Sequence, residues 1–272
     1  MMSGRCAASA TMMPSVSLQP AYILHSRPYR DSSLLLEVLT AEHGRLSLVA
    51  RGARRRTRGG SAGALLQPFS PLLLGFSGRS ELKNLTATEA AGQPQLLRGQ
   101  RMFSGLYLNE LLVRLLHRHD PHPQLFAAYA STLDALASDG ELDDILRRFE
   151  FSLLAELGYG FELDMEGCSG EALLPEAWYH YHPEHGLVAR GPVADPNQPA
   201  FRGADLLAIA ANDFSGAARP TAKRLLRLAL AMQLGGAPLR SRELCKTHYG
   251  AGKRRDSAGE SEGKSAGAGK QP

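Results

Sequence analysis

The stretch "GRLSLVARGARRRTRGG", Gly44 to Gly60, changes character half-way along. Its first part alternates. Leu46, Leu48 and Ala50 fall on one side, Arg45, Ser47 and Arg51 on the other, which is the period of two of a half-buried β-strand. From Leu48 onward it holds five arginines and three glycines. Such a segment is a solvated charge run, a linker, or a loop that grips phosphates. The strand feeding it argues against a linker, and the charge distribution of the chain argues against idle solvation.

The chain has 272 residues, 43% of them apolar, enough for one to three small domains with real cores. Its net charge of +4 conceals an imbalance. Residues 1–98 carry twelve Lys/Arg against five Asp/Glu, residues 251–272 five against three, and the stretch between them is net −5. A basic N-terminal part beside an acidic body points to a polyanion bound on one part only, either nucleic acid or an acidic membrane surface. The three cysteines, Cys6, Cys168 and Cys245, imply no disulfide framework and fit a reducing compartment. No run of eighteen apolar residues exists, so no membrane span is expected. Residues 1–19 lack the continuous apolar segment of a signal peptide and read as a disordered leader, with Met12 or Met13 as alternative starts and the cytoplasm as the default location. Residues 250–272, dominated by Gly, Ala, Ser, Lys and Glu, read as a disordered tail.

Working outward from Gly44, "AYILH" (Ala21–His25) reads as a strand followed by the loop "SRPYRDSS". "LLLEVLT" is a second strand, with Leu34, Leu36 and Val38 on one face and Glu37 on the other. After the arginines, "LLQPFSPLLLGF" and "ELKNLTATEA" read as strands joined by "SGRS", the first bent or at an edge because of Pro68 and Pro71. Five short strands over residues 20–94 suggest a small barrel or a sandwich. Beyond Pro94 the period becomes helical. Leu108, Leu111, Leu112 and Leu115 form a stripe within Arg101–His119, Leu125, Tyr129, Leu133 and Leu136 a second, and Ile145, Phe149, Leu153 and Leu157 a third that ends at Gly158. A fourth helix is predicted over Thr221–Leu234, with Ala222, Leu225, Leu226 and Ala229 buried. Residues 95–160 and 200–249 therefore make a helical domain, interrupted at 161–199 by an irregular insertion. That insertion contains the hairpin "AWYHYHPEHGLVAR", with Pro183–Gly186 as its turn. The fold class is α+β and multidomain.

Catalytic signatures are absent. "AGESEGKS" in the tail has Ala258 where a phosphate-binding loop needs its first glycine, and no strand precedes it. Asp143 and Asp144 suit the start of a helix. His180 and His182 share one strand face and make a partial metal site, but no CxxC or HxxxH pair accompanies them, so no metal and no other cofactor is expected. A binding protein, not an enzyme, is the consequence. Arg45 and Arg51 share one strand face, Arg54, Arg55, Arg56 and Arg58 extend from its end, and Gly52, Gly59 and Gly60 let the backbone bend. Arg27, Arg30 and Lys83 add charge if the strands converge. Tyr22, Tyr29, Phe69 and Phe76 are candidate stacking platforms, although Phe69 and Phe76 read first as residues of the barrel core. With no basic recognition helix, binding is expected to tolerate any sequence and to depend steeply on salt. An RNA- or ribosome-binding protein is the alternative, and a metal-dependent nuclease built on His180 and His182 a third reading.

"AYILHSRPYRDSSLLLEVLTAEHGRLSLVARGAR", "LLQPFSPLLLGFSGRSELKNLTATEA", "SGLYLNELLVRLL", "LRRFEFSLLAELGYG" and "LGGAPLRSRELCK", in that order, resemble the RecO family of DNA recombination and repair mediators. The resemblance runs from about Ala21 to Tyr249. It implies an N-terminal five-stranded OB-fold barrel, a helical domain and a small insertion. It further implies binding of single- and double-stranded DNA, annealing of complementary strands, and cooperation with RecR in loading RecA onto DNA coated by single-strand-binding protein. In some members the insertion is a four-cysteine zinc finger; here only Cys168 remains of that pattern, so none is expected. The resemblance also implies that the helical domain captures the acidic, apolar C-terminal tail of single-strand-binding protein. Arg147 and Arg148 of "LRRFE" are candidates to pair with that tail, with Phe149 near the apolar pocket. Equally, the two arginines fit solvent-facing helix positions and Phe149 fits the buried stripe.

Overall fold

The computed structural model describes residues 15–55, 62–190 and 198–248. Arg56, Arg58, most of the expected leader and the expected tail lie outside the described residues. Five strands, β1 (Ser15–Tyr29), β2 (Ser33–Thr40), β3 (Gly44–Ala50), β4 (Leu72–Ser77) and β5 (Leu82–Ala90), close into a barrel in the order β1-β2-β3-β5-β4. All neighbours are antiparallel except β3 and β5, which pair in parallel at Ser47–Leu82 and Val49–Asn84. Of barrel and sandwich, the barrel is what forms, and it is OB-fold-like.

β1 corrects the sequence reading at both ends. It begins at Ser15, inside the expected leader, because Ser15 and Val16 pair with Ser77 and Phe76 of β4. It continues through "SRPY", expected as loop, because Arg27, Pro28 and Tyr29 pair with Leu35, Leu34 and Ser33 of β2. Pairing with β4 stops at Ala21, so Pro28 faces no second strand that would require its missing N–H. "LLQPFSPLLLGF" yields a strand only from Leu72. Pro68, Pro71 and Phe69 at φ +66° hold the remainder irregular.

The helical domain comprises α1 (Gly99–Leu115), α2 (Pro123–Ala137), α3 (Leu142–Glu156), α4 (Gly203–Ala210), α5 (Ala218–Gln233) and a last helix, α6, over 240–248. The α2 stripe is buried as predicted, and Gly158 closes α3 at φ +78°. α1 stops four residues before His119. α5 starts three residues before Thr221, with Pro220 tolerated in its first turn. In the insertion, β6 (Trp178–His182) and β7 (Gly186–Ala189) form the expected hairpin. β8 (Ala200–Arg202) adds a third strand along β6, giving the order β7-β6-β8. β8 and α4 carry no sequence signal strong enough to separate them from the irregular stretch around them. Among the described residues, no helix is long and apolar enough to cross a membrane.

Two cores explain the strand sequences. Ile23, Leu36, Val38, Leu46, Leu48, Leu74 and Phe76 fill the barrel interior. Tyr22, Leu24, Leu39 and Phe69 turn outward into the core of the helices. β1 is buried on both faces there, so "AYIL" reads as an apolar run instead of alternating, and on β2 Leu39 joins the helical core while Leu36 and Val38 face the barrel interior. Polar groups fix the junction. Asn109 of α1 donates to the Leu24 carbonyl at 2.9 Å and accepts from Tyr129. Glu37 accepts from Arg45 (2.8 Å), Ser47 (2.6 Å) and Arg118 (3.2 Å), while Arg45 Nε donates to the Leu116 carbonyl. Gly44, at φ +62°, meets the Asp120 backbone so closely that a Cβ would lie 2.0 Å from its carbonyl oxygen.

Candidate nucleic-acid interface

β3 ends at Ala50, and the chain turns at Gly52, whose φ of +66° suits glycine. The turn is closed by Arg55 N–H donating to the Gly52 carbonyl at 2.9 Å. It is tied to the β1–β2 turn by Arg54, whose N–H donates to the Ser32 carbonyl at 2.9 Å and whose guanidinium reaches the Asp31 carbonyl at 3.4 Å. Two loops far apart in sequence thus form one wall. Arg30, at φ +51°, projects from the β1–β2 turn with its guanidinium 5.2 Å from the centre of the Tyr29 ring.

Between these turns and the start of β5 lies a cleft of about 670 Å³. Arg30, Arg51 and Arg55 line it with Tyr29, Ser32, Ser33, Ser80 and Asn84, and among the described residues no carboxylate lines it. Three guanidinium groups, each able to fork onto two phosphate oxygens, share this cleft with a half-exposed aromatic ring and small polar groups. The cleft therefore suits a phosphate backbone with a base against Tyr29.

The remaining predicted residues go elsewhere. Arg27 is exposed on β1 outside the cleft, and Arg54 is exposed at its back wall. Arg45 and Arg51, expected to share one strand face, are separated by the end of β3 at Ala50, and Arg45 is held by Glu37 and Leu116 under the helical domain. Lys83 points to the other side of β5 from Asn84. It donates to the Gly78 carbonyl at 3.3 Å and stands near Phe76, His43 and His119 at the far mouth of the barrel. Burial and the adjacent Lys83 hold the His119 imidazole below its ordinary value, so His119 brings that mouth no charge at neutral pH. Tyr22 is no stacking platform. It is buried against Phe126 and Tyr129, ring centres 5.5 and 5.2 Å away. Phe76 sits in the barrel core as expected, whereas Phe69, also expected there, packs into the core of the helices instead.

In the helical domain, α3 sends "RRF" in three directions, as consecutive helix positions about 100° apart must go. Arg147 is almost buried and paired with Glu150 at 2.7 Å. It lines a cleft of about 540 Å³ floored by Phe103, Leu142 and Leu146 and lined also by Arg227, Arg242 and Lys246, with Glu141 and Asp143 at its edge and Lys223 paired to Asp143 at 3.1 Å. Burial raises the Glu150 carboxyl above its ordinary value, with Arg147 and the Tyr107 hydroxyl acting against that rise. Tyr107 donates to Glu150 and accepts from Arg242 at 3.1 Å. Arg148 faces a different groove, where it donates to the Asn212 carbonyl at 3.3 Å and lies over Phe214. Phe149 is buried in the core beside Tyr129, so it belongs to the stripe and not to a pocket. Sequence reasoning missed the α5 and α6 cations. The run "LRSRELCK", Leu239–Lys246, carried the signal, three cations in eight residues close to the chain's last aliphatic anchors.

Two family models match the chain in order, Recombination protein O N terminal over residues 13–94 and Recombination protein O C terminal over residues 97–243. The chain belongs to the RecO family. The DNA repair protein RecO of Pseudomonas paraeruginosa is 50% identical over 233 residues, 85% of this chain and 96% of that protein. RecO of Methylococcus capsulatus is 48% identical, covering 85% and 94% of the two chains, and RecO of Alkalilimnicola ehrlichii is 45% identical, covering 84% and 90%. The boundary between the RecO models falls at residues 94–97, where the barrel gives way to α1.

Proposed function

We propose that this RecO-family protein is a non-enzymatic mediator of DNA repair and recombination that holds single- and double-stranded DNA against its barrel and anneals complementary strands. The observation that supports this reading best is the cleft lined by Arg30, Arg51 and Arg55 with no carboxylate lining it among the described residues. Guanidinium forks neutralise phosphate repulsion between two strands and leave base edges free to pair. Tyr29 offers a stacking face that any base satisfies. The apolar, cation-lined cleft between α1, α3, α5 and α6 is the proposed dock for the acidic, apolar tail of single-strand-binding protein, with Arg227, Arg242 and Lys246 facing its carboxylates. Through that contact, and with RecR, the protein loads RecA onto coated DNA.

The test is strand annealing by the full chain, wild type against Arg30→Ala/Arg51→Ala/Arg55→Ala, over a range of salt and with or without divalent metal. The expected result is metal-independent annealing, with the triple variant weakened broadly and its salt dependence flattened. Unchanged affinity of the variant at low salt overturns the cleft, strand cleavage with metal overturns the non-enzymatic reading, and a preference for RNA favours the ribosome-binding alternative. Arg227 is exposed, so Arg227→Glu is expected to abolish tail capture while sparing naked DNA. Arg148→Glu, in the other groove, separates the two candidate docks.

A further inference from the structure

We propose that the β6–β7 turn is a binding site for a divalent transition-metal ion of the zinc class, with His182, Glu184 and His185 as ligands and water completing the shell. Each of the three offers one donor atom, and the three donors lie within 4.8 Å of one another. The sequence pairing of His180 with His182 does not produce this group. His180 is outside it, and Glu184 and His185 are brought in by the turn. A tetrahedral shell with bonds of 2.0–2.2 Å needs donors about 3.4 Å apart. The exposed Glu184 and His185 side chains close that difference by ordinary torsion, against a half-buried His182.

The backbone beneath them is braced, which lowers the ordering cost of binding. The loop after Met165 sits directly on the turn. Gly167 N–H donates to the Leu187 carbonyl at 2.7 Å, and a Cβ on Gly167 would lie 1.4 Å from the His185 carbonyl oxygen. Glu166 anchors that loop by accepting from the N–H groups of Cys168 and Ala189 at 3.0 and 3.2 Å. Gly186 takes φ +76° with Phe161 against its Cα, and Pro183 fixes a further torsion between the ligands. The two imidazoles stand 4.8 Å apart and within 21° of parallel, so they are close enough to share an ion once the exposed His185 ring turns to bring its in-plane lone pair toward it. The Glu184 N–H reaches His182 Nδ1 at 3.3 Å, a long bond that a metal displaces at little cost. Two imidazoles and one carboxylate select zinc, nickel or copper over magnesium and calcium, which take oxygen donors.

Zinc binding by the full-length protein, measured by competition with a chromogenic chelator, tests the site. One equivalent is expected to bind, unaffected by excess Mg²⁺. His182→Ala/His185→Ala is expected to weaken it by more than about tenfold, since even partners outside the ligand shell are worth that much. The chain has nine histidines, so His117→Ala serves as the control and is expected to change nothing. Glu184→Gln keeps the shape of the turn and removes one ligand, so a several-fold loss there supports the site even if the double variant disturbs the hairpin. Failure of the wild type to retain zinc, or wild-type affinity in both the double variant and Glu184→Gln, overturns it.

Discussion

Arg45 lies on β3 and Arg51 in the turn just past its end, six residues apart, and the fold uses them in opposite ways. Arg45 lies beneath the α1–α2 connection, its guanidinium shared between the Glu37 carboxylate and the Leu116 carbonyl. Arg51 lies past the edge of that cover, exposed, with Arg30 and Arg55 as neighbours across open space. The residue type is the same; what differs is that one sits on the strand under another element and the other in the open turn beyond it. The helical domain thus divides the outer surface of the barrel into a part that holds the molecule together and a part left open for a polyanion.

The largest way to break this contrast is to lift the cover. Gly44→Ala forces a side chain into the αL region and against the Asp120 backbone, and is expected to cost about 3 kcal/mol or more in denaturant unfolding. Next comes Arg45→Ala, which deprives Glu37 of its shorter ion pair. It is expected to cost about 2 kcal/mol of stability and to leave the DNA affinity of the folded protein unchanged. Affinity lost with stability retained would return Arg45 to the interface. Arg51→Ala reverses the pattern. Melting is expected to stay within about 0.5 kcal/mol of wild type, while DNA binding weakens by roughly 1 kcal/mol and the salt slope falls by just under one per phosphate released. The smallest effect is expected for Lys83→Ala, under about 0.5 kcal/mol in the same binding titration. A loss equal to that of Arg51→Ala would show DNA running round to the far mouth of the barrel.

The barrel and the first helices were legible because their signals are local. Leu46, Leu48 and Ala50 alternate, and Leu125, Tyr129, Leu133 and Leu136 repeat at helical spacing. What escaped was whatever depends on the second partner of an element. Nothing in "SRPY" announces that β2 will pair with it, or that β4 will have stopped by then. Tyr22 reads as a free ring until α2 is laid over it. The same holds for the site. The arginine-rich turn was evident, but that Arg30 joins it follows from β2 pairing with β3 and Arg54 reaching Ser32, and Lys83 stays out because of its place on β5. On α3, "RRF" read as one cluster because sequence adjacency is not spatial adjacency on a helix.

The sharing of β1 and β2 between two cores also bears on how the molecule comes apart. Residues 94–97 separate two family models, but a cut there would strip Tyr22, Leu24, Leu39 and Phe69 of their packing and leave the barrel with a sticky apolar flank. The barrel is not a detachable module. Heat should meet a single calorimetric transition, and a nucleic acid held at the arginine cleft should raise the unfolding temperature of helices it never touches.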